Sequence, residues 1–147
     1  MTIRIFAAVA ASAALFATGA FAQSADTGGR KLQTSLTGAA EVPGPGDPDG
    51  RGTAQITVNS GQSKVCYKLS VSNIAPATAA HIHKGGPTIA GPVVVTLGTP
   101  NASGMSSGCV TVTRALALEI LKNPADYYVN VHNAEYGAGA VRGQLAT

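Results

Sequence analysis

The chain has 147 residues, 45% of them apolar, and a formal net charge of +3 from ten Lys and Arg against seven Asp and Glu. The basic residues are scattered and Trp is absent, so the sequence lacks the clustered basic and aromatic residues of a nucleic-acid-binding protein. The length is sufficient for one domain with its own hydrophobic core.

The first 22 residues have the pattern of a cleaved export signal. Arg4 supplies a positive charge, residues 5–16 are apolar, and Ala20-Phe21-Ala22 is a small-x-small cleavage site. We predict cleavage before Gln23 and a periplasmic or secreted product, because the apolar run is short and Ala-rich. The competing interpretation is an uncleaved anchor, and after cleavage no run is left that could span a membrane.

The remaining chain predicts a single domain of short strands. Residues 23–31 are polar and predict a flexible lead-in, and the domain is expected at 32–147. Residues 53–58 and 64–71 alternate in polarity around a 59–62 turn, which predicts a β-hairpin. Residues 44–52 are dense in Gly, Pro and Asp and predict a solvated turn; Asp47 and Asp49 lack the further acidic ligands of a calcium loop.

Residues 113–122 carry the one helical pattern. Thr113 can cap the N-terminus, Lys122 suits the C-terminal dipole and Pro124 ends the helix. Many strands with one short helix indicate an all-β fold, an antiparallel Greek-key β-sandwich or barrel, either superoxide-dismutase-like or immunoglobulin-like.

Two cysteines, Cys66 and Cys109, occupy separate strand-like segments. In an exported protein they predict a disulfide bond. Two thiolate metal ligands are the alternative, which needs a reducing or metal-loaded export route.

All three histidines lie in strand-like segments. His81 and His83 are two residues apart and therefore share a face, and His132 shares a face with Tyr128 and Asn130. If the two strands are neighbours, three imidazoles converge, which is an arrangement that binds copper or zinc and keeps one coordination position open. We predict that Asn130, Tyr128 and Glu135 support the ligands or supply a fourth one. The alternative is that the ring N–H groups are bonded to backbone carbonyls and serve the fold.

Three motifs give the chain a family resemblance. Residues 36–43, LTGAAEVP, resemble the opening motif of the CHRD domain, a family named after chordin. Residues 80–85, AHIHKG, resemble its His motif, and YVNVH at 128–132 followed by VRGQL at 141–145 resembles its closing motif. The motifs fall in the family's order and span most of the mature chain.

A weaker resemblance concerns copper chemistry. The His81/His83 pair, His132, the Gly137–Gly139 loop and Arg142 are similar to elements of Cu/Zn superoxide dismutases. This resemblance implies three copper ligands and an Arg142 that guides the anion. The bridging histidine and the zinc ligands of that family have no counterpart here, so the resemblance implies a copper-only site or one for another metal. Arg142 has a structural alternative, an ion pair with Glu41 or Glu135.

The sequence therefore predicts an exported CHRD domain that binds copper through His81, His83 and His132, with zinc as the alternative metal. Copper-only dismutase activity is the enzymatic variant. The competing hypothesis is a non-catalytic domain of the cell envelope that binds a protein or a glycan and whose histidines are structural. Motifs of serine hydrolases, P-loop enzymes and C-x-x-C redox enzymes are absent from the sequence.

Overall fold

The computed structural model describes residues 28–147, and the predicted export signal lies outside them. Eight strands form one antiparallel sheet: β1 (Arg30–Thr37), β2 (Arg51–Asn59), β3 (Lys64–Ser72), β4 (Ala77–Lys84), β5 (Val93–Leu97), β6 (Met105–Thr111), β7 (Tyr127–Asn133) and β8 (Val141–Gln144). One α-helix, α1 (Arg114–Lys122), and two 3₁₀ turns, Gly38–Ala40 and Pro124–Asp126, complete the fold. β1 thus begins two residues before the predicted start of the domain.

The sheet curls until its two edges approach one another. Its hydrogen-bonded order is β5-β4-β7-β8-β1-β2-β3-β6, and the end strands β5 and β6 contact each other, so the sheet is nearly a closed barrel. Across that contact, the spatial order of four strands is β3-β6-β5-β4. Strands β4, β5 and β6 are consecutive neighbours and β3 lies beside β6, and this arrangement is a Greek key. The prediction of an all-β barrel or sandwich is confirmed.

Alternation along the strands creates the core. In β3, Val65, Tyr67, Leu69 and Val71 point inward while their neighbours point out, as the pattern predicts. The other strands contribute matching inward rows, and the interior is filled by aliphatic side chains, including Leu32, Leu36, Ile56, Val58, Ile82, Val129, Val131, Val141 and Leu145.

Helix α1 covers the end of the barrel that carries the β2–β3 turn. The Thr113 side chain accepts a 3.1 Å hydrogen bond from the Leu116 N–H, which confirms the predicted N-cap. Ala117 and Ile120 are buried against the core. None of the helices in residues 28–147 has the length and hydropathy of a membrane span.

A disulfide joins Cys66 on β3 to Cys109 on β6, as predicted. The two residues are direct partners in the strand register. The alternative of two thiolate metal ligands is therefore excluded for this state of the chain.

Candidate metal centre

The outer face of β4, β7 and β8 carries a buried polar layer. The register places His81 opposite Asn130, Asn130 opposite Arg142, and His83 opposite Tyr128. Side chains on this face would ordinarily meet solvent, but the 85–92, 134–140 and 41–50 segments cover much of it. His83, Asn130 and Arg142 are accordingly 8%, 2% and 1% exposed.

The three histidines converge on this face. One ring nitrogen from each of His81, His83 and His132 lies within 4.8 Å of the other two. His81 Nδ1 and His132 Nε2 are hydrogen-bonded to each other at 3.1 Å, so a metal ion between them would displace the proton of that bond. Two nitrogens bound to one metal at about 2.0–2.1 Å are separated by about 3–3.4 Å at tetrahedral or right angles, so this pair already has the spacing of two ligands.

The third nitrogen, on His83, lies within 4.8 Å of the other two. Two atoms bound to one metal at about 2.1 Å can be no more than about 4.2 Å apart. Coordination by all three histidines therefore requires a side-chain shift of less than about 1 Å, which staggered side chains accommodate within one rotamer well.

Backbone carbonyls fix two of the rings. His83 Nδ1 lies 2.8 Å from the Gly91 carbonyl oxygen and His132 Nδ1 lies 3.0 Å from that of Gly137. Each Nδ1 donates its proton there, so each Nε2 presents a lone pair to the cluster. The His83 Nε2 is buried and has no hydrogen-bond partner within the described part of the chain. A buried lone pair without a partner is costly, and a metal ion would satisfy it.

Two of the rings, His81 and His132, are held in the neutral form that metals bind. Burial lowers the pKa of His81, and the neighbouring His132 and His83 lower it further. Burial likewise lowers the pKa of His132, against the opposing effect of the hydrogen bond to Gly137. Both imidazoles are therefore neutral at pH 7, with one ring nitrogen free of a proton, as metal ligands must be.

Tyr128 contacts the cluster directly. Its ring stacks on His83, with centroids 4.8 Å apart and planes 7° from parallel, and its hydroxyl oxygen accepts a 3.1 Å hydrogen bond from the Gly91 N–H. The guanidinium carbon of Arg142 lies 3.4 Å from the centroid of the same ring. His83, Tyr128 and Arg142 thus form one stack across β4, β7 and β8.

Arg142 is buried rather than directed at the open side of the cluster. Its guanidinium donates to the carbonyls of Gly86 at 2.8 Å and Ile89 at 3.1 Å, both in the 85–92 loop. The expected ion pair of Arg142 with Glu41 or Glu135 is absent from residues 28–147, where the ion pair found is Lys84–Glu119. Arg142 therefore fastens a loop over the stack, and its placement lends no support to anion guidance.

Asn130 and Glu41 belong to the same buried layer. Burial raises the Glu41 pKa to about 7, against the opposing effects of the Arg142 charge and of hydrogen bonds from the Val42 backbone and the Asn130 side chain. Gly139, at φ +153°, lies against the Glu41 carboxyl, where a Cβ would approach to 2.3 Å. Asp47 is also buried, at 7% exposure, so the predicted solvated turn is partly wrong: the Asp47 N–H is bonded to the Ala140 carbonyl, which draws the segment onto the barrel.

Glu135 lies exposed in the 134–140 loop. None of its contacts among the described residues is a hydrogen bond to His81, His83 or His132. The residues that sequence reasoning missed are Gly91 and Gly137, which act through carbonyl groups. The available signal was the Gly-rich character of the loop after each histidine strand; at Gly91 a Cβ would lie 1.7 Å from the Lys84 carbonyl oxygen.

Comparison with known families identifies the domain. The model of the CHRD domain family matches residues 32–145. The chain belongs to the CHRD domain family. No curated protein matches the chain.

Proposed function

We propose that this CHRD domain is a metal-binding module that takes up copper through His81, His83 and His132. The observation that carries the proposal is the buried, unpartnered His83 Nε2 in a cluster whose three ring nitrogens lie within 4.8 Å of one another. Buried polar atoms are ordinarily hydrogen-bonded, as the His83 Nδ1 is, so an unpartnered Nε2 beside two other imidazoles favours a bound ion.

Copper is preferred on the chemistry of the donors. The cluster offers imidazole nitrogens, without thiolates or carboxylates that would favour other ions, and copper(II) binds such ligands more strongly than zinc in the Irving–Williams order. Zinc accepts the same three ligands with water as the fourth and is the competing metal. Bound copper would supply a redox-active centre; the chain supplies the ring orientation through Gly91, Gly137 and Tyr128.

Two further parts of the proposal concern export and catalysis. The disulfide fits a location outside the cytoplasm, which agrees with an export signal at 1–22 and a periplasmic or secreted protein. Dismutase activity is supported by the three histidines alone. Arg142, which would guide the superoxide anion, is instead bonded to loop carbonyls.

The experiment is a copper and zinc titration of chelator-treated residues 23–147 at pH 7.5, followed by EPR of the copper(II) form. We expect one copper per chain with nitrogen hyperfine structure, and loss of binding in His81→Ala/His83→Ala. Thr96→Ala is the matched control, since Thr96 is the exposed β5 partner of His81 and keeps all three rings. Equal copper binding by the double variant, or no binding by the parent, would overturn the proposal.

A further inference from the structure

A second candidate site lies on strands that carry none of the histidines. Strands β1, β2, β3 and β6 line a groove of about 700 Å³, mostly through outward-facing side chains. The histidines lie on β4 and β7, on the other side of β8 in the strand order. The groove is therefore independent of the metal proposal.

Two cross-strand rows form the walls and floor of this groove. One row runs Gln33–Gln55–Lys68–Ser107, and the other runs Lys31–Thr57–Cys66–Cys109, each member being the register partner of the next. Four neighbouring strands span about 14 Å. The groove thus presents amides, hydroxyls and two ammonium groups beside a largely apolar lining that includes Leu32, Tyr67 and the Cys66–Cys109 disulfide.

The charge on these four strands has one sign. They carry Arg30, Lys31, Arg51, Lys64 and Lys68, and none of their residues is acidic. Arg30 and Arg51 donate to backbone carbonyls, whereas Lys31 and Lys68 are exposed in the groove without an ion-pair partner in residues 28–147. Fixed positive charge beside a concave surface attracts an anionic ligand.

The polar groups in the groove identify the class of anion. β1, β2 and β3 are paired on both sides, so their backbone cannot add a strand from a peptide. Gln33, Gln55, Thr57 and Ser107 instead offer side-chain donors and acceptors between two cations, which suits a chain of hydroxyl groups bearing carboxylates. We infer that the β1-β2-β3-β6 groove binds an acidic polysaccharide of the uronate type, with Lys31 and Lys68 on its carboxylates and Gln33 and Gln55 on its hydroxyls.

The test measures binding of oligogalacturonate to the folded domain by calorimetry at 20 and 150 mM salt, with dextran oligosaccharides of equal length as the neutral probe. We expect oligogalacturonate to bind, dextran not to bind, and affinity to fall with salt because exposed charges are screened. Lys31→Gln/Lys68→Gln should weaken binding by about tenfold or more.

A matched variant separates the groove from net charge. Arg114→Gln/Lys122→Gln removes two exposed charges from α1 and should leave the affinity within about twofold. Gln33→Ala/Gln55→Ala keeps every charge and should still weaken binding several-fold. Thermal melts of each variant verify folding.

Three results would overturn the inference: absence of oligogalacturonate binding at 20 mM salt, equal losses in the Lys31/Lys68 and Arg114/Lys122 variants, or tighter binding of poly-glutamate that displaces the sugar. The third result would make the groove a site for acidic peptide. Copper titration is unaffected by any of these outcomes, so this inference and the metal proposal are tested separately.

Discussion

At the residue scale, the histidine cluster depends on groups that carry no charge. The carbonyls of Gly91 and Gly137 select the tautomers of His83 and His132. The Tyr128 ring stacks on the His83 ring and fixes its orientation. The chain itself thus orients the ring nitrogens that the proposal assigns to the metal. Such orientation by surrounding hydrogen bonds commonly changes metal affinity by about 10–100-fold.

Tyr128→Leu tests this orientation. The substitution removes the face that stacks on His83 and the hydroxyl that accepts from the Gly91 N–H. We expect copper affinity to fall by about tenfold with the ligand set retained, measured by competition with a chelator. Tyr128→Phe keeps the ring that stacks on His83 and should lose less copper affinity than Tyr128→Leu. Equal affinity in all three proteins would contradict this role for Tyr128.

Glu41 predicts a pH dependence of stability in the metal-free protein. Burial raises its pKa from 4.5 to about 7, so the folded state holds a proton that the unfolded state has released between these values. The contribution of Glu41 to the free energy of unfolding is therefore fully present below pH 4.5 and is lost as the pH rises through 7. The total loss is about 3 kcal/mol at most.

The measurement is urea unfolding of the parent and Glu41→Gln between pH 4 and 8, with chelator present. Because both proteins share the histidines, the difference in unfolding free energy isolates Glu41. We expect the parent to lose stability relative to Glu41→Gln as pH rises. A constant difference across this range would show that Glu41 is ionised in the fold.

Some of the residues around the histidine cluster could be predicted from the sequence and others could not. The i, i+2 spacing placed His81 and His83 on one face, and the structure brings His132 beside them. Glu135 and the ion pair of Arg142 were chosen by charge alone, and charge carries no information about which loop covers which face. The carbonyl partners could not be predicted, because a carbonyl group has no distinguishing residue type.

At the element scale, the 85–92 loop covers the histidine cluster. It is bonded to His83, Tyr128, Arg142 and, through the Gly85 carbonyl, Gln144. Most of these bonds join its backbone to side chains of the sheet. Its order therefore depends on the sheet residues beneath it.

Arg142→Ala tests this dependence. It leaves the Gly86 and Ile89 carbonyls without their donor and removes the cation over the Tyr128 ring, so we expect a loss of about 3 kcal/mol. Arg51→Ala is the matched control: Arg51 also donates to loop carbonyls but is exposed, and should cost under about 1 kcal/mol. Hydrogen exchange should accelerate in the 85–92 loop only in the first variant; unchanged exchange there would contradict the role.

Strands and helix were predictable at this scale because each has a periodic pattern. The β2–β3 hairpin and the Thr113 cap follow the sequence closely. The Gly and Pro content of residues 44–52 predicted a turn correctly. The burial of Asp47 could not be predicted, because it arises from a contact with Ala140, which is distant in sequence.

At the scale of the whole molecule, the disulfide and the histidine cluster lie on different parts of the barrel. Cys66 and Cys109 pair β3 with the edge strand β6, and the histidines lie on β4 and β7. The bond closes a loop with a sequence separation of 43, which stabilises the fold by about 4 kcal/mol in the chain-entropy model.

Cys66→Ser/Cys109→Ser is therefore expected to lower the unfolding free energy by about 4 kcal/mol and to leave copper affinity unchanged in the folded protein. Urea unfolding and copper titration at low temperature are the measurements, and the parent protein in reductant provides the second comparison. A stability loss below about 1 kcal/mol, or a parallel loss of copper affinity, would contradict this separation.

The distance along the chain between the histidines has a consequence for when a metal can be acquired. His81 and His132 are 51 residues apart, and only the pairing of β4 with β7 brings their nitrogens to 3.1 Å. During synthesis, most of the domain must emerge before the third histidine is present. Under the proposed function, metal uptake would therefore be a late event, and the compartment in which the barrel finishes folding would decide which ion the protein meets first.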